Sequence, residues 1–291
     1  MEQSPLIAIG LPIALFIIMI GMGLTLTLHD FTREARAPRG AVIGTVLQLL
    51  VMPLVGLLLA GLPGLSAAVA IGVVILAACP GGTTSNLITF LGRGNVALSI
   101  VLTVIASLAT IVTLPLWVNL AMARLGAETE VPLTLPFLQT VIMLSVITLI
   151  PVAIGMLIRA RNANLAALAE RGVSLFGALV LVLLVVGLAY TNRENLLGLL
   201  VQAGPACAAL NVIGFGLGFF AGRLSGLSWR DCVTLSAELG IKNGTVGLLV
   251  ALSILDNSEM AVPAAVYSIM MYGFGALLIA IGRQKIPAPQ P

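Results

Sequence analysis

"AELGIKNGTVGLLVA", residues 237–251, places a carboxylate (Glu238) and an ammonium (Lys242) one helical turn apart, with an amide (Asn243) beside them and Gly240, Gly244 and Gly247 around them. Apolar sequence runs away from this stretch on both sides. The glycines weaken a helix there, and an ionisable residue at membrane depth is costly and marks a functional site by default. The rest of the chain decides whether membrane is the right word. Hydrophobic residues make up 59% of the 291 residues and charged ones 9%, against about 25% charged in a soluble domain. One water-soluble core cannot hide that much apolar surface. A span needs roughly 20 mostly apolar residues, and such runs follow one another along the whole chain. The fold class is therefore an all-α polytopic membrane protein.

Nine crossings are read, at 6–28, 40–61, 66–92, 96–122, 133–158, 169–190, 196–222, 229–254 and 259–282. The first has no basic flank before it and no small-residue cleavage site after it, and reads as a retained span. Arg and Lys assign the faces. Arg33, Arg36, Arg39, Arg93, Arg159, Arg161, Arg171, Arg223, Arg230, Arg283 and Lys285 fall on one face; only Arg124 and Arg193 fall on the other, which collects Glu128, Glu130, Glu194, Asp256 and Glu259. The N-terminus is expected outside and the C-terminus in the cytoplasm. The net charge of +3 carries no nucleic-acid signal, because the basic residues are scattered between spans. Cys79, Cys207 and Cys232 sit singly in apolar surroundings, without metal spacing or a disulfide framework. His29 has no second histidine to pair with. Trp117 and Trp229 lie near span ends, as interfacial anchors do, and Pro53, Pro115 and Pro151 are expected to kink their spans.

The third and eighth crossings are interrupted. In "AACPGGTTSNLITF" (77–90), Pro80, Gly81 and Gly82 break a helix, and Thr83, Thr84, Ser85 and Asn86 can start another. From Pro80 to Glu238 is 158 residues (238 minus 80), and a shift of that length brings the other spans into register. The chain thus reads as two inverted repeats: 1–126 with four spans and a break at 79–86, and 127–291 with five spans and a break at 238–244. The first lacks one helix. Paired interrupted helices at corresponding positions point to a transporter's binding site.

At the two breaks, "CPGGTTSNLITFLGRGNVALSI" and "ELGIKNGTVGLLVAL" resemble the bile acid:sodium symporter family, as does "GMGLTLTLHDF" (21–31). The resemblance covers nearly the whole chain. It implies a core domain, here 66–122 plus 196–282, and a panel domain, here 6–61 plus 133–190, with the two broken helices crossing in the core. It implies a first sodium site of Ser85, Asn86, Ser99, Thr103 and Glu238. Ser99 and Thr103 also share a helix face by their i, i+4 spacing; on spacing alone they would read as interhelical glue. The implied second site uses Gln48, Glu238, nearby backbone carbonyls and a glutamine four residues after the glutamate. Lys242 stands at that last position. An ammonium has three donors and no acceptor, so it cannot ligate sodium. The expectation is that it replaces the second ion, held by Glu238 and the Gln48 carbonyl; the alternative is a static ion pair bracing a broken helix.

Half-helix N-termini at mid-membrane suit an anion. The substrate set is Gly82, Thr83, Thr84, Asn243 and Gly244, with Thr83 and Asn243 touching the cargo by resemblance. Where bile-acid-binding relatives carry a His-Asn pair, this chain has Met271 and Tyr272, which favours a small organic anion over a bile acid. The implied seat is the inner membrane of a bacterium. No cofactor is indicated, and sodium is the one ion implied. The sequence has no HExxH, GxSxG or paired aspartates for an intramembrane enzyme. A channel would favour rings of like groups. A sensor that kept the fold without transporting stays open, as do sodium-independent and proton-coupled carriers.

Overall fold

The computed structural model describes residues 5–27, 32, 38–125 and 134–287. His29, Arg33, Arg36, Glu128 and Glu130 lie outside them. The described residues form helices: α1 (Pro5–Thr25), α2 (Arg39–Ala60), α3 (Ala67–Ala78), α4 (Thr83–Leu91), α5 (Val96–Leu125), α6 (Phe137–Arg161), α7 (Ala163–Thr191), α8 (Leu196–Leu224), α9 (Trp229–Gly240), α10 (Gly244–Ile254) and α11 (Ser258–Lys285). Among the described residues six of these, α2, α5, α6, α7, α8 and α11, are long and apolar enough to cross a membrane. Helix starts follow capping chemistry. Ser66, Asn162, Ser228 and Asn257 each accept a backbone N–H of the first turn that follows.

The helices sort into two groups. In one, α1 packs against α6 and α7. In the other, α2 to α5 and α8 to α11 pack around the paired short helices α3/α4 and α9/α10. The two groups meet where α5 lies on α6, α7 on α11, and α1 on α10. The second span, assigned to the panel from sequence, is corrected by its neighbours: α2 lies against α3, α5 and α8. Its small-residue face is the reason. A Cβ at Gly40 would strike Leu98, one at Gly44 would strike Leu102 and Leu235, and one at Gly56 would strike Ala77. In lipid, helices associate where small residues let them approach, and this face of α2 fits only the core.

The same device recurs within each group. Gly23 and Gly155 bring the backbones of α1 and α6 together. Gly214 and Gly218 press α8 onto the backbone of α9 at Leu239 and Leu235, Gly72 meets the Met260 carbonyl, and Gly282 meets Gly92.

In α2 the expected proline effect takes a particular form. Leu47–Val51 is a π turn, and Pro53 follows it. Pro53 has no N–H to give the carbonyl of Leu49. The indole N–H of Trp117 takes that place at 3.0 Å. Trp117, expected as an interfacial anchor, therefore braces the bend from α5. The π turn also leaves Gln48 buried, and such turns often mark functional positions.

Candidate functional site

The two breaks meet. Gly81 and Lys242 form an antiparallel bridge. The Gly82 N–H donates to the Ile241 carbonyl at 3.2 Å, and the Asn243 N–H to the Pro80 carbonyl at 2.9 Å. Pro80 and the flanking glycines end one helix, and the unwound segment of each break supplies partners the other has lost. Irregular backbone at this depth has to be satisfied by protein or by a wet cavity, and here protein does it. Gly81 has to be glycine for a second reason: a Cβ would lie 2.6 Å from Oε2 of Glu238.

Glu238, in the last turn of α9, is 3% exposed. Three hydroxyls converge on its carboxylate. Ser85 of α4 donates to Oε1 in a very short bond. Ser99 of α5 donates to Oε1 at 2.5 Å. The Thr103 hydroxyl lies 2.9 Å from Oε2. The i, i+4 spacing of Ser99 and Thr103 is what aims both at one carboxylate. Asn86 follows Ser85, and its Oδ1 is buried without a hydrogen-bond partner. Thr89, which the sequence reading passed over, adds a fully buried hydroxyl 3.3 Å from Ser99 Oγ.

Lys242 is 1% exposed. Its ammonium donates to the carbonyls of Ala77 at 3.2 Å and Cys79 at 3.4 Å. These belong to the last turn of α3, whose carbonyls Pro80 leaves unpaired. Gln48 reaches the same point: its Nε2 donates to the Cys79 carbonyl at 2.7 Å, while its Oε1 is buried without a partner. The ammonium is thus seated on a helix C-terminus, where a cation is favoured. The expected holders, Glu238 and the Gln48 carbonyl, are not its hydrogen-bond partners. The carboxylate is taken by hydroxyls, and Gln48 presents its amide N–H₂ to the carbonyl that Lys242 also uses.

A family model described as the sodium bile acid symporter family matches residues 12–199. The chain belongs to that family. It is 33% identical over 280 residues to an uncharacterized sodium-dependent transporter, YocS, of Bacillus subtilis, covering 96% of this chain and 84% of that one. It is 32% identical to a probable sodium/metabolite cotransporter, BASS1, chloroplastic, of Oryza sativa, over 92% of this chain and 64% of the rice protein. It is 30% identical to the ileal sodium/bile acid cotransporter of Cricetulus griseus, over 92% of this chain and 77% of that protein. The family and these relatives are transporters, not enzymes. This symporter-family chain is a membrane protein that needs no catalytic constellation.

The remaining residues of interest surround the crossing. Gly82 is the N-cap of α4, with Thr83 and Thr84 in its first turn and no side chain capping it. Asn243 is the N-cap of α10, and its Oδ1 accepts the Val246 N–H at 3.2 Å. Gly244 opens α10 against Ser268 of α11, leaving no room for a side chain. Between the two helix groups, beside Pro80 and Asn243, lies a cavity of about 10 Å³. Ser107, Thr110 and Thr148 line it with hydroxyls, and Met19 and Leu144 are part of its apolar wall. That is room for about one water. These hydroxyls were missed from sequence; the signal for Ser107 and Thr110 was a polar stripe that they make with Thr103 along one apolar span, and Thr148 on α6 had none. Tyr267 was missed too. Fully buried, it donates its hydroxyl to the Gly240 carbonyl at 2.8 Å.

Proposed function

We propose that this chain is a secondary active transporter that carries a small organic anion by alternating access across the inner membrane of a bacterium. In this reading it crosses the membrane nine times as two inverted repeats, with its N-terminus outside and its C-terminus in the cytoplasm. The observation that carries the reading is the convergence of Ser85, Ser99 and Thr103 on Glu238 at the crossing of two broken helices. Three hydroxyls and a carboxylate are hard oxygen donors of the kind sodium takes. The unpartnered Asn86 Oδ1 is a fifth, since a buried acceptor without a donor calls for a partner.

Lys242 takes the place of a second sodium ion. Its ammonium already neutralises the carbonyl end of α3, and the carrier then moves at most one sodium per cycle. Gln48 and Glu238 complete the surroundings of that position. The cargo is a carboxylate or sulfonate, received by the uncapped start of α4 at Gly82, Thr83 and Thr84 with Asn243 and Gly244 opposite. The cavity beside Asn243 supports movement as part of the cycle. Ligand pockets run to roughly 300–1,000 Å³, so an organic anion enters only if the two helix groups part.

The test is uptake into proteoliposomes at varied sodium, with a panel of small organic anions. Wild-type uptake is expected to rise with sodium to no more than first order, and Lys242→Gln to acquire a steeper dependence. Second-order dependence in the wild type, or an unchanged variant, rejects the tethered cation. Uptake that ignores sodium altogether moves the reading to the runner-up, a sodium-independent carrier, which the resident ammonium also favours. Binding without uptake rejects transport.

A further inference from the structure

At the arginine-rich face, away from the crossing, a groove of about 710 Å³ lies between the end of α4, the connection to α5, the first turn of α9 and the last turn of α11. Three elements each bring a guanidinium to it: Arg93 from the connection, Arg230 from α9 and Arg283 from α11. Arg230 lies two turns before Glu238, roughly 12 Å along α9, so the groove is separate from the site described above.

The guanidiniums are anchored and still have donors to spare. Arg93 donates to the carbonyls of Arg283 at 3.1 Å and Ile286 at 2.8 Å, Arg283 to that of Leu91 at 3.0 Å, and Arg230 to that of Gly94 at 3.4 Å. A guanidinium carries five N–H donors, so each keeps most of its set. Arg93 is held with φ of 60°, a conformation that non-glycine residues rarely adopt. The nearby carboxylate, Asp231, is already engaged, Oδ1 by the Asn95 amide at 2.9 Å and Oδ2 by the Ser228 hydroxyl at 2.6 Å. The rim is apolar. Phe90 lines the groove, and Leu87, one turn earlier on α4, continues the same exposed face.

We propose that this groove binds a phosphate oxyanion between Arg93, Arg230 and Arg283, supplied by the headgroup of an anionic phospholipid. Clustered arginines at a helix-bundle surface suit phosphate, and the Leu87–Phe90 face offers the acyl chain a path that free phosphate would not need. A lipid seated here bridges the end of α4 to the start of α9, two helices whose opposite ends carry Ser85 and Glu238.

The test uses the full chain purified in detergent. Binding is read by native mass spectrometry and by thermal unfolding with added phosphatidylglycerol, phosphatidylcholine or inorganic phosphate. Phosphatidylglycerol is expected to bind and stabilise more than phosphatidylcholine. Each of Arg230→Gln and Arg283→Gln is expected to weaken it roughly fivefold, at about 1 kcal/mol per basic residue near the surface. Arg230→Gln removes only the long contact to Gly94, so it reads the site even if Arg283→Gln fails to fold. Lysine at either position is expected to retain part of the effect. Stabilisation by millimolar inorganic phosphate alone assigns the site to the cytosol and overturns the lipid. Equal response to both lipids, or an unchanged response in the variants, overturns the site.

Discussion

The first and second breaks solve one problem with different chemistry. Each ends a helix inside the protein and strands carbonyls there. At the end of α3 the carbonyls of Ala77 and Cys79 face the ammonium of Lys242 and the amide of Gln48. At the end of α9 the Gly240 carbonyl meets a neutral phenol, Tyr267. The starts differ in the opposite sense. Asn243 caps α10 with its own side chain, whereas α4 begins at Gly82 with no side-chain cap. The first break therefore has a fixed positive charge behind it, lent by Lys242, and no side-chain cap ahead. The second carries the carboxylate, sends Lys242 across to the first, and has its own two ends met by Tyr267 and Asn243. The two breaks differ in electrostatics although their backbones pair symmetrically, which is why the proposed cation site is put at Glu238 and the proposed anion site at the start of α4.

This contrast can be broken most sharply at Lys242. Lys242→Met strands the Ala77 carbonyl, leaves that of Cys79 to Gln48 alone, and leaves the buried carboxylate without a positive neighbour. Leaving a buried charge uncompensated costs about 3–5 kcal/mol, to be read as a fall in thermal unfolding temperature of the purified protein. Gly81→Ala tests the crossing itself. The new methyl collides with the Glu238 carboxylate, and overpacking costs about 1–3 kcal/mol; sodium-stimulated uptake is expected to vanish while the protein still folds. Tyr267→Phe removes the neutral cap on α9 and is expected to cost about 1–2 kcal/mol. If its loss equals that of Lys242→Met, charge is not what separates the two breaks. Asn243→Ala is the mildest, about 1 kcal/mol for a lost N-cap, and a loss of uptake far beyond that would put Asn243 on the cargo as well as on α10.

Much of this was legible in the residues. Pro80, Gly81 and Gly82 interrupt an apolar run too long to be a loop, and the i, i+4 pair Ser99 and Thr103 can only face one way. What escaped depends on backbone atoms in other helices. No pattern in "AVYSIMMYG" (265–273) says that Tyr267 will find the Gly240 carbonyl, because that carbonyl becomes free only when α9 ends. Lys242 was read against the nearest opposite charge, yet the α3 carbonyls, which no sequence displays as acceptors, hold it. The place of α2 was hidden for another reason. Apolar on every side, it shows no periodic face; only Gly40, Gly44 and Gly56 betray which side is pressed against the core.

Those glycines belong to a wider pattern. Wherever a glycine lets one helix touch another, the atoms its missing side chain would strike lie in the same helix group: α1 with α6 and α7, or α2 to α5 with α8 to α11. Among the described residues none of these seams crosses from one group to the other. Each group is thus welded internally, and under the proposed alternating access the boundary through α5–α6, α7–α11 and α1–α10 would act like the cleavage plane of a crystal, the surface along which the molecule would part at least cost. Substitutions along that plane can reshape the gap while leaving both blocks intact, a route by which one architecture can come to accept cargoes of very different size.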